Sequence, residues 1–307
     1  MNACIRAVVR TALYHKLEVY GIKYGYDGMI NGDYIPLENK SVANIIQHGG
    51  TILKTARSKD FMTDKGMLKA KVQLEKNLID GVIAIGGDGT FKGAEEFGKI
   101  CTIPFIGIPG TIDNDLFGTD YTIGYDTAIN TVIEAVDKIR DTAESHNRLF
   151  FVEVMGRDAG LIALRSGIGS GAESIIIPET KTDLDSLVAK LRNSRKDKTS
   201  KIIMVAEGDE AGGAFEIANK IKEKIQGYDM RITVLGHVQR GGSPTCMDRV
   251  NASRLGYSAV EALVHGKKSV MAGIVDRKVI FTPFSRAVKY IDKIYPDLIN
   301  MMEVLSL

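Results

Sequence analysis

The chain has 307 residues, 44% of them hydrophobic and 25% charged, proportions ordinary for a soluble globular protein of about two domains. Lys and Arg number 40 against 38 Asp and Glu, and the net charge of +2 argues against a nucleic-acid or membrane footprint spread over the whole surface. Cys4, Cys101 and Cys246 are far apart and form no CxxC pair, so neither zinc nor a disulfide framework is indicated, and no apolar stretch approaches the ~20 residues that span a bilayer. The cysteines read as free thiols of a reducing cytoplasm.

The first segment, Met1 to Lys16, carries Arg6, Arg10 and Lys16 and no acid before Glu18, which is compatible with a transit peptide. Ile5, Val8, Val9 and Leu13 fall on one helical face, however, and a domain helix is the preferred reading. Strands are expected over 17–22, 81–85, 104–108, 150–155, 174–177, 202–206 and 231–235, several of them almost continuously apolar, as strands buried on both faces should be. Amphipathic stretches lie between them, such as 124–141 and 214–226. Strand, helix, strand in succession implies α/β architecture, with a parallel sheet covered by helices on both faces. Ligands of such sheets bind beyond the carboxyl ends of the strands. The basic run 192–201 reads as a solvated connection, and the polar stretch 144–147 as a candidate domain boundary.

Three strand-end loops stand out. Gly86-Gly87-Asp88-Gly89-Thr90 directly follows the strand GVIAI. Its small residues let a phosphate approach the backbone, the following helix offers N–H groups to the same anion, and Asp88 suits Mg2+. A tight turn with an acidic N-cap explains the same residues, and both readings stand. The loop also resembles the GGDGT of NAD kinases and diacylglycerol kinases, so it specifies phosphate handling more than substrate. The second loop, Pro109-Gly110-Thr111-Ile112-Asp113-Asn114-Asp115, brings two carboxylates two residues apart, one able to take a hydroxyl proton while the other helps hold a metal. An Asx-type turn is the plainer alternative. The third, 235–244 (LGHVQRGGSP), sets His237 and Arg240 among glycines, a phosphosugar clamp or an arginine stacked on a turn.

On these residues the chain resembles the bacterial-type ATP-dependent 6-phosphofructokinases over nearly its whole length. The resemblance is carried by MNACIRAVVR (1–10), GGT and TAR (49–57), IGGDGT (85–90), IGIPGTIDNDLFGTDYTIGYDTA (106–128), SHNR (145–148), VEVMGRDAG (152–160), VAEG (205–208) and VLGHVQRGGSP (235–244). It implies two Rossmann-like parallel-sheet domains with helices on both faces, an ATP-binding domain over 1–124 with a return over about 245–290, and a fructose 6-phosphate domain over 125–244. It implies the reaction of ATP and fructose 6-phosphate to ADP and fructose 1,6-bisphosphate in glycolysis, with Mg2+. By the same resemblance Asp113 is the base for the sugar 1-hydroxyl, Thr111 and Asp115 flank the transferring phosphoryl group, and Asp88 and Asp115 stand near the metal. Arg57 matches the arginine on the ATP phosphates and Arg157 the one that stabilises transition-state charge. Tyr26, Gly89, Thr90 and Gly93 match nucleotide-site positions. Met155, Gly156, Glu207, His237 and Arg240 match sugar-phosphate residues of the same subunit, whereas Arg148 and Arg231 match arginines that reach a neighbouring subunit's site, which implies a homotetramer with shared active sites.

Gly89 and Gly110 follow the ATP pattern, where pyrophosphate-dependent members carry GGDD and PKTIDND. An effector site for ADP or another phosphorylated ligand is implied at Arg6, Arg10, Arg140, Glu173, Lys196 and Lys198, although Asn39 replaces one family arginine. In the family a first strand and a GGDAPG loop stand immediately before MNA, so Met1 corresponds to the methionine of that motif and the chain as given is expected to lack both. Two rival readings follow: a catalytically impaired or ligand-binding subunit, motivated by that loop alone, and another GGDGT kinase, against which GHVQRGG counts.

Overall fold

The computed structural model describes residues 1–143, 148–193, 200–225, 228–290 and 296–305. The chain begins with α1 (Asn2–Tyr14), β1 (Tyr20–Ile22), α2 (Tyr26–Asn31), β2 (Tyr34–Pro36), α3 (Asp64–Lys76), β3 (Val82–Gly86), α4 (Asp88–Phe97) and β4 (Phe105–Pro109). It continues with α5 (Tyr125–Ala143), β5 (Arg148–Val154), α6 (Leu161–Gly169), β6 (Ser174–Ile176), α7 (Leu184–Asn193), β7 (Ser200–Ala206), α8 (Ala214–Lys222) and β8 (Asp229–Val234). It closes with α9 (Cys246–Val264), β9 (Val270–Val275), β10 (Lys278–Pro283) and α10 (Pro296–Leu305). The expected boundary at 144–147 and the middle of the basic run, 194–199, lie outside the described residues.

Two compact units emerge. The first comprises 1–111, 116–124 and 242–289, the second 112–115, 125–241 and 290–307. The β4 loop is therefore divided, with Thr111 in the first unit and Asp113 and Asp115 in the second.

In the first unit the sheet runs β10-β9-β4-β3, with β3, β4 and β9 parallel and β10 antiparallel at the edge, while β1 and β2 form a separate antiparallel pair. The two-residue period of a strand decides what each face meets. Phe105 of β4 faces a cluster with Phe91 and Phe97 of α4 and Leu74 of α3. Ile106 and Ile108 face Ala3 and Cys4 of α1 and Ala252 and Leu255 of α9. Helices thus cover both faces, and β4 is buried throughout, whereas most of β3, at the sheet edge, is only half-buried. The N-terminal segment is a helix whose Ile5, Val9 and Ala12 are buried at helical spacing. Burial pushes the Cys4 thiol up to about 12, which keeps it inert as a small apolar residue.

In the second unit the sheet runs β6-β7-β5-β8 and is wholly parallel. Leu149 and Phe151 of β5 and Ile203 and Val205 of β7 pack against Leu187 and Val188 of α7 and Ile217 and Ile221 of α8. The alternate residues Phe150, Val152, Ile202 and Met204 are buried on the opposite face. Among the described residues no helix is long and apolar enough to cross a membrane.

Phe91 is fully buried and stacks on Phe284 with ring centroids 5.6 Å apart, so it anchors α4 to the sheet. Phe91→Ala should cost about 3–5 kcal/mol, a large part of a typical ~5–15 kcal/mol total. A urea unfolding midpoint unchanged from the parent would show that α4 is anchored elsewhere.

Candidate functional site

In the first unit the GGDGT loop joins β3 to α4. Gly87 is the extended N-cap and Asp88 the first helical residue, so the helix opens with unpaired N–H groups and its positive end at the loop. The backbone N–H of Gly110 donates to the Gly86 carbonyl at 2.8 Å, tying the loop after β4 to the loop after β3. Thr111 lies beside Gly87, where an added Cβ would meet its side chain at 3.6 Å, and Thr122 Oγ1 donates to its carbonyl. Gly89 is exposed, and a Cβ there would meet nothing within 4 Å.

Asp88 Oδ2 accepts from Lys92 Nζ at 2.8 Å and Oδ1 from the Lys289 N–H at 3.1 Å. Tyr26 donates its hydroxyl to the Thr90 carbonyl, and its ring stacks on Phe61 at 3.9 Å and lies against Gly93. Burial raises the Tyr26 phenol well above its ordinary range, so it acts as a fixed donor. Tyr26, Thr90 and Gly93 therefore form one wall of α4's opening turns. Arg57 is exposed on an irregular segment, and no hydrogen bond or ion pair holds its guanidinium among the described residues.

In the second unit Asp113, Asn114 and Asp115 are buried at the end of the same β4 loop. Asp113 Oδ2 stands 3.6 Å from Arg157 Nε. Arg157 lies on the loop after β5, with φ +54°, and Gly156 before it has φ +149°. At Gly156 only glycine is unstrained, and a Cβ would also meet the Ala159 carbonyl oxygen at 2.2 Å. Side chains from other elements hold this loop by its backbone. Gln239 Oε1 accepts from Met155 N at 3.2 Å, and Glu207 Oε1 accepts from Gly156 N at 3.3 Å and Arg157 N at 2.9 Å. Gln239 also donates to the Gly236 carbonyl, bracing the short 3-10 turn Gly236–Arg240 on which His237 and Arg240 are exposed.

The second unit thus brings together Asp113, Met155, Gly156, Arg157, Glu207 and the 236–240 turn. It does not bring Arg148 and Arg231 to them. Arg148 is the first residue of β5, and Arg231 pairs in register with Phe150. Five to seven residues of strand separate them from Met155, about 16–23 Å at a strand's rise. Both guanidinia converge instead on Asp229 Oδ2, Arg231 at 2.8 Å and Arg148 at 3.3 Å, and hold that carboxyl below its usual range.

Among the residues matched to an effector site, Arg140 donates to the carbonyls of Ser170 and Gly171 at 2.7 Å, and buried Glu173 accepts from the Ile202 N–H. Arg6 is half-buried and Arg10 exposed on α1. Lys196 and Lys198 lie outside the described residues. Sequence reasoning passed over Lys92 and Gln239. Lys92 carried a signal in its spacing four residues after Asp88, while the role of Gln239 depends on a backbone contact with no local signature.

A family model described as phosphofructokinase matches residues 1–263. An ATP-dependent 6-phosphofructokinase of Cytophaga hutchinsonii is 56% identical over 307 residues, covering 100% of this chain and 94% of that protein. ATP-dependent 6-phosphofructokinase 1 of Thermus thermophilus is 54% identical over 312 residues, with 100% and 95% covered. Among solved structures, Pichia pastoris phosphofructokinase in the T-state superposes with a TM-score of 0.88 at 35% identity; the match covers 100% of this chain and 35% of that longer one. A pyrophosphate-dependent phosphofructokinase of Marinobacter aquaeolei, 22% identical over 99% of this chain and 87% of its own, shares the fold with a TM-score of 0.84. With more than four-fifths of its length matched by the family model, and with relatives above 50% identical over the whole of this chain, the chain belongs to the phosphofructokinase family.

Proposed function

We propose that this chain is an ATP-dependent 6-phosphofructokinase, transferring the γ-phosphoryl group of ATP to the 1-hydroxyl of fructose 6-phosphate. The observation that carries the reading is the divided β4 loop: Thr111 stands against the phosphate-binding GGDGT turn, and two residues later Asp113 is buried beside Arg157. Phosphoryl transfer asks for a positioned hydroxyl and charge neutralisation, and little covalent work from the protein. The likeness to relatives named for this activity supports the same reading.

In this reading the N–H groups opening α4 receive the nucleotide phosphates, with Arg57 on the same anion. Asp113 takes the proton of the sugar hydroxyl, and Arg157 stabilises the charge that develops on the transferring group. Arg240, His237, Glu207 and Met155 hold the phosphosugar. Asp88 suits Mg2+, which needs only one or two protein carboxylates when phosphate oxygens and water complete its shell, and the resemblance adds Asp115; among the described residues no cluster of three or more ligands offers a dedicated cage. The cation would neutralise phosphate charge, and Lys92 and the Lys289 N–H hold Asp88 in place for it. Exposed Gly89, with open space around it, leaves room for the α-phosphate of ATP.

The separation of Arg148 and Arg231 from Met155 supports their use in a neighbouring subunit's site, and so a homotetramer with shared active sites. A cytoplasmic enzyme regulated by ADP or another phosphorylated effector through Arg6, Arg10, Arg140, Glu173, Lys196 and Lys198 completes the proposal.

ATP and fructose 6-phosphate should yield fructose 1,6-bisphosphate in a coupled assay, and no ATP-dependent phosphorylation of the sugar would refute the reading. Asp113→Asn should lower kcat by about two to four orders of magnitude with little change in KM for the sugar; a near-normal kcat would remove Asp113 from its role. Pyrophosphate should not replace ATP. Gly89→Asp, which the open space admits without loss of melting temperature, should cut kcat/KM for ATP by at least about tenfold, or about 1.4 kcal/mol, and an unchanged value would refute the donor argument. Inactive Arg231→Ala and Asp113→Asn chains, mixed into verified hybrid oligomers, should regain activity if sites are shared, and hybrids without regained activity would exclude shared sites.

A further inference from the structure

The loop that presents Arg157 is a strained piece of backbone. Gly156 and Arg157 both have positive φ, and such conformations persist only where the surroundings over-determine them. At its entry Gln239 and Glu207 take the N–H groups of Met155, Gly156 and Arg157. At its exit, where the chain turns into α6, Glu179 Oε1 accepts from the Gly160 N–H at 2.7 Å, the shortest of these bonds. Glu207 has a place in the phosphosugar site, and Gln239 belongs to the GHVQRGG turn. Glu179, three residues beyond β6, belongs to neither.

The contact is built for. Gly160 is the N-cap of α6, and a Cβ there would lie 2.5 Å from Ile177 Cβ and 2.6 Å from Glu179 Oε2. Glycine is what lets the carboxylate reach the backbone. The second oxygen, Oε2, is buried with no hydrogen-bond partner among the described residues. Burial raises the Glu179 carboxyl above its usual range, the Gly160 N–H opposes that, and the neighbouring Asp209 carboxylate, itself held by Thr182 Oγ1, raises it further. An acid kept half-satisfied beside a second acid is unfavourable for stability alone. Its return is the placement of the backbone it holds.

We propose that Glu179 is a positioning residue for phosphoryl transfer, its carboxylate pinning the Gly160 N–H and so fixing the far end of the loop that sets Arg157 beside Asp113. This rests on the reading of Arg157 as the residue that stabilises transferring charge. With Glu207 fixing the entry and, in the proposed function, also contacting the phosphosugar, loss of the exit anchor loosens Arg157 and leaves the substrate contacts in place. The effect therefore falls on kcat and not on KM, and a misplacement of about 1 Å is enough to cost up to about a hundredfold.

The test uses the full-length protein with Glu179→Ala, Glu179→Gln and Arg157→Ala, measuring kcat, KM for both substrates and melting temperature. Glu179→Ala should lower kcat by about ten- to a hundredfold with each KM within about threefold. Glu179→Gln keeps an oxygen acceptor for Gly160 and should restore kcat to within about threefold of the parent. If Glu179→Ala fails to fold, Glu179→Asp, one methylene short of Gly160, carries the same expectation. A folded Glu179→Ala or Glu179→Asp enzyme with parental kcat overturns the proposal, as does a Glu179→Gln enzyme no better than Glu179→Ala, or a loss expressed only in KM. Arg157→Ala with undiminished kcat refutes the reading of Arg157 beneath it, whereas an impaired Arg157→Ala beside a normal Glu179→Ala refutes this inference alone.

Discussion

A chain that turns at the carboxyl end of a buried parallel strand leaves backbone N–H groups with no partner in the sheet, and each must be satisfied by a ligand or by the protein. The loops after β3 and β5 meet this demand differently. After β3 the chain passes straight into α4, where the Thr90 N–H turns back to the Gly87 carbonyl and the N–H groups ahead of it, at the positive end of the helix, suit an anion. After β5 the N–H groups of Met155, Gly156, Arg157 and Gly160 are taken by Gln239, Glu207 and Glu179. At this second loop four backbone N–H groups are held by side chains while the Arg157 side chain stays more than half exposed.

That difference explains where backbone strain sits. Asn114 and Arg157 both adopt left-handed conformations near φ +54°, on the two loops whose side chains meet at Asp113. The ion pair between Asp113 and Arg157 is long at 3.6 Å, and Arg157 is more than half exposed, so its Coulomb energy is small after solvent screening. It is too weak to impose two unfavourable backbone conformations. Buried Asp113 and the acceptors under the Arg157 loop must do so, which makes the pair a consequence of the scaffold and not its cause.

Much of this was legible in the sequence. The continuous apolar runs of β4 and β7 and the glycine-rich turns after β3 and β4 announce buried parallel strands with ligand loops, because a strand covered on both faces has no polar positions to spare. The pair β9 and β10 escaped notice. Its two-residue connection is Asp276-Arg277, both with positive φ, and it lacks the glycine that marks such turns. The three-residue β2 is too short for any period to register. Individual candidate residues divide the same way. Asp88, Asp113 and Arg240 stand in loops whose composition is unusual, but Gln239 and Glu179 act on backbone atoms 84 and 19 residues away in sequence, and a contact of that kind leaves no pattern in the residues around it.

Strand geometry also sorts the arginines. The carboxyl ends of β5 and β7 carry Met155 and Glu207, while the amino end of β5 carries Arg148, opposite Asp229 of β8. A side chain cannot travel the length of a hydrogen-bonded strand, and the register with Asp229 leaves no freedom to slide. Arg148, Arg231 and Asp229 together carry a net positive charge on an exposed edge, with both guanidinia already aligned by one carboxylate. Within this chain that carboxylate is the group both arginines engage, at the end of the strands away from Met155. Register therefore fixes Arg148 and Arg231 five to seven residues of strand away from Met155, and within this chain both guanidinia end on Asp229 and not beside Met155.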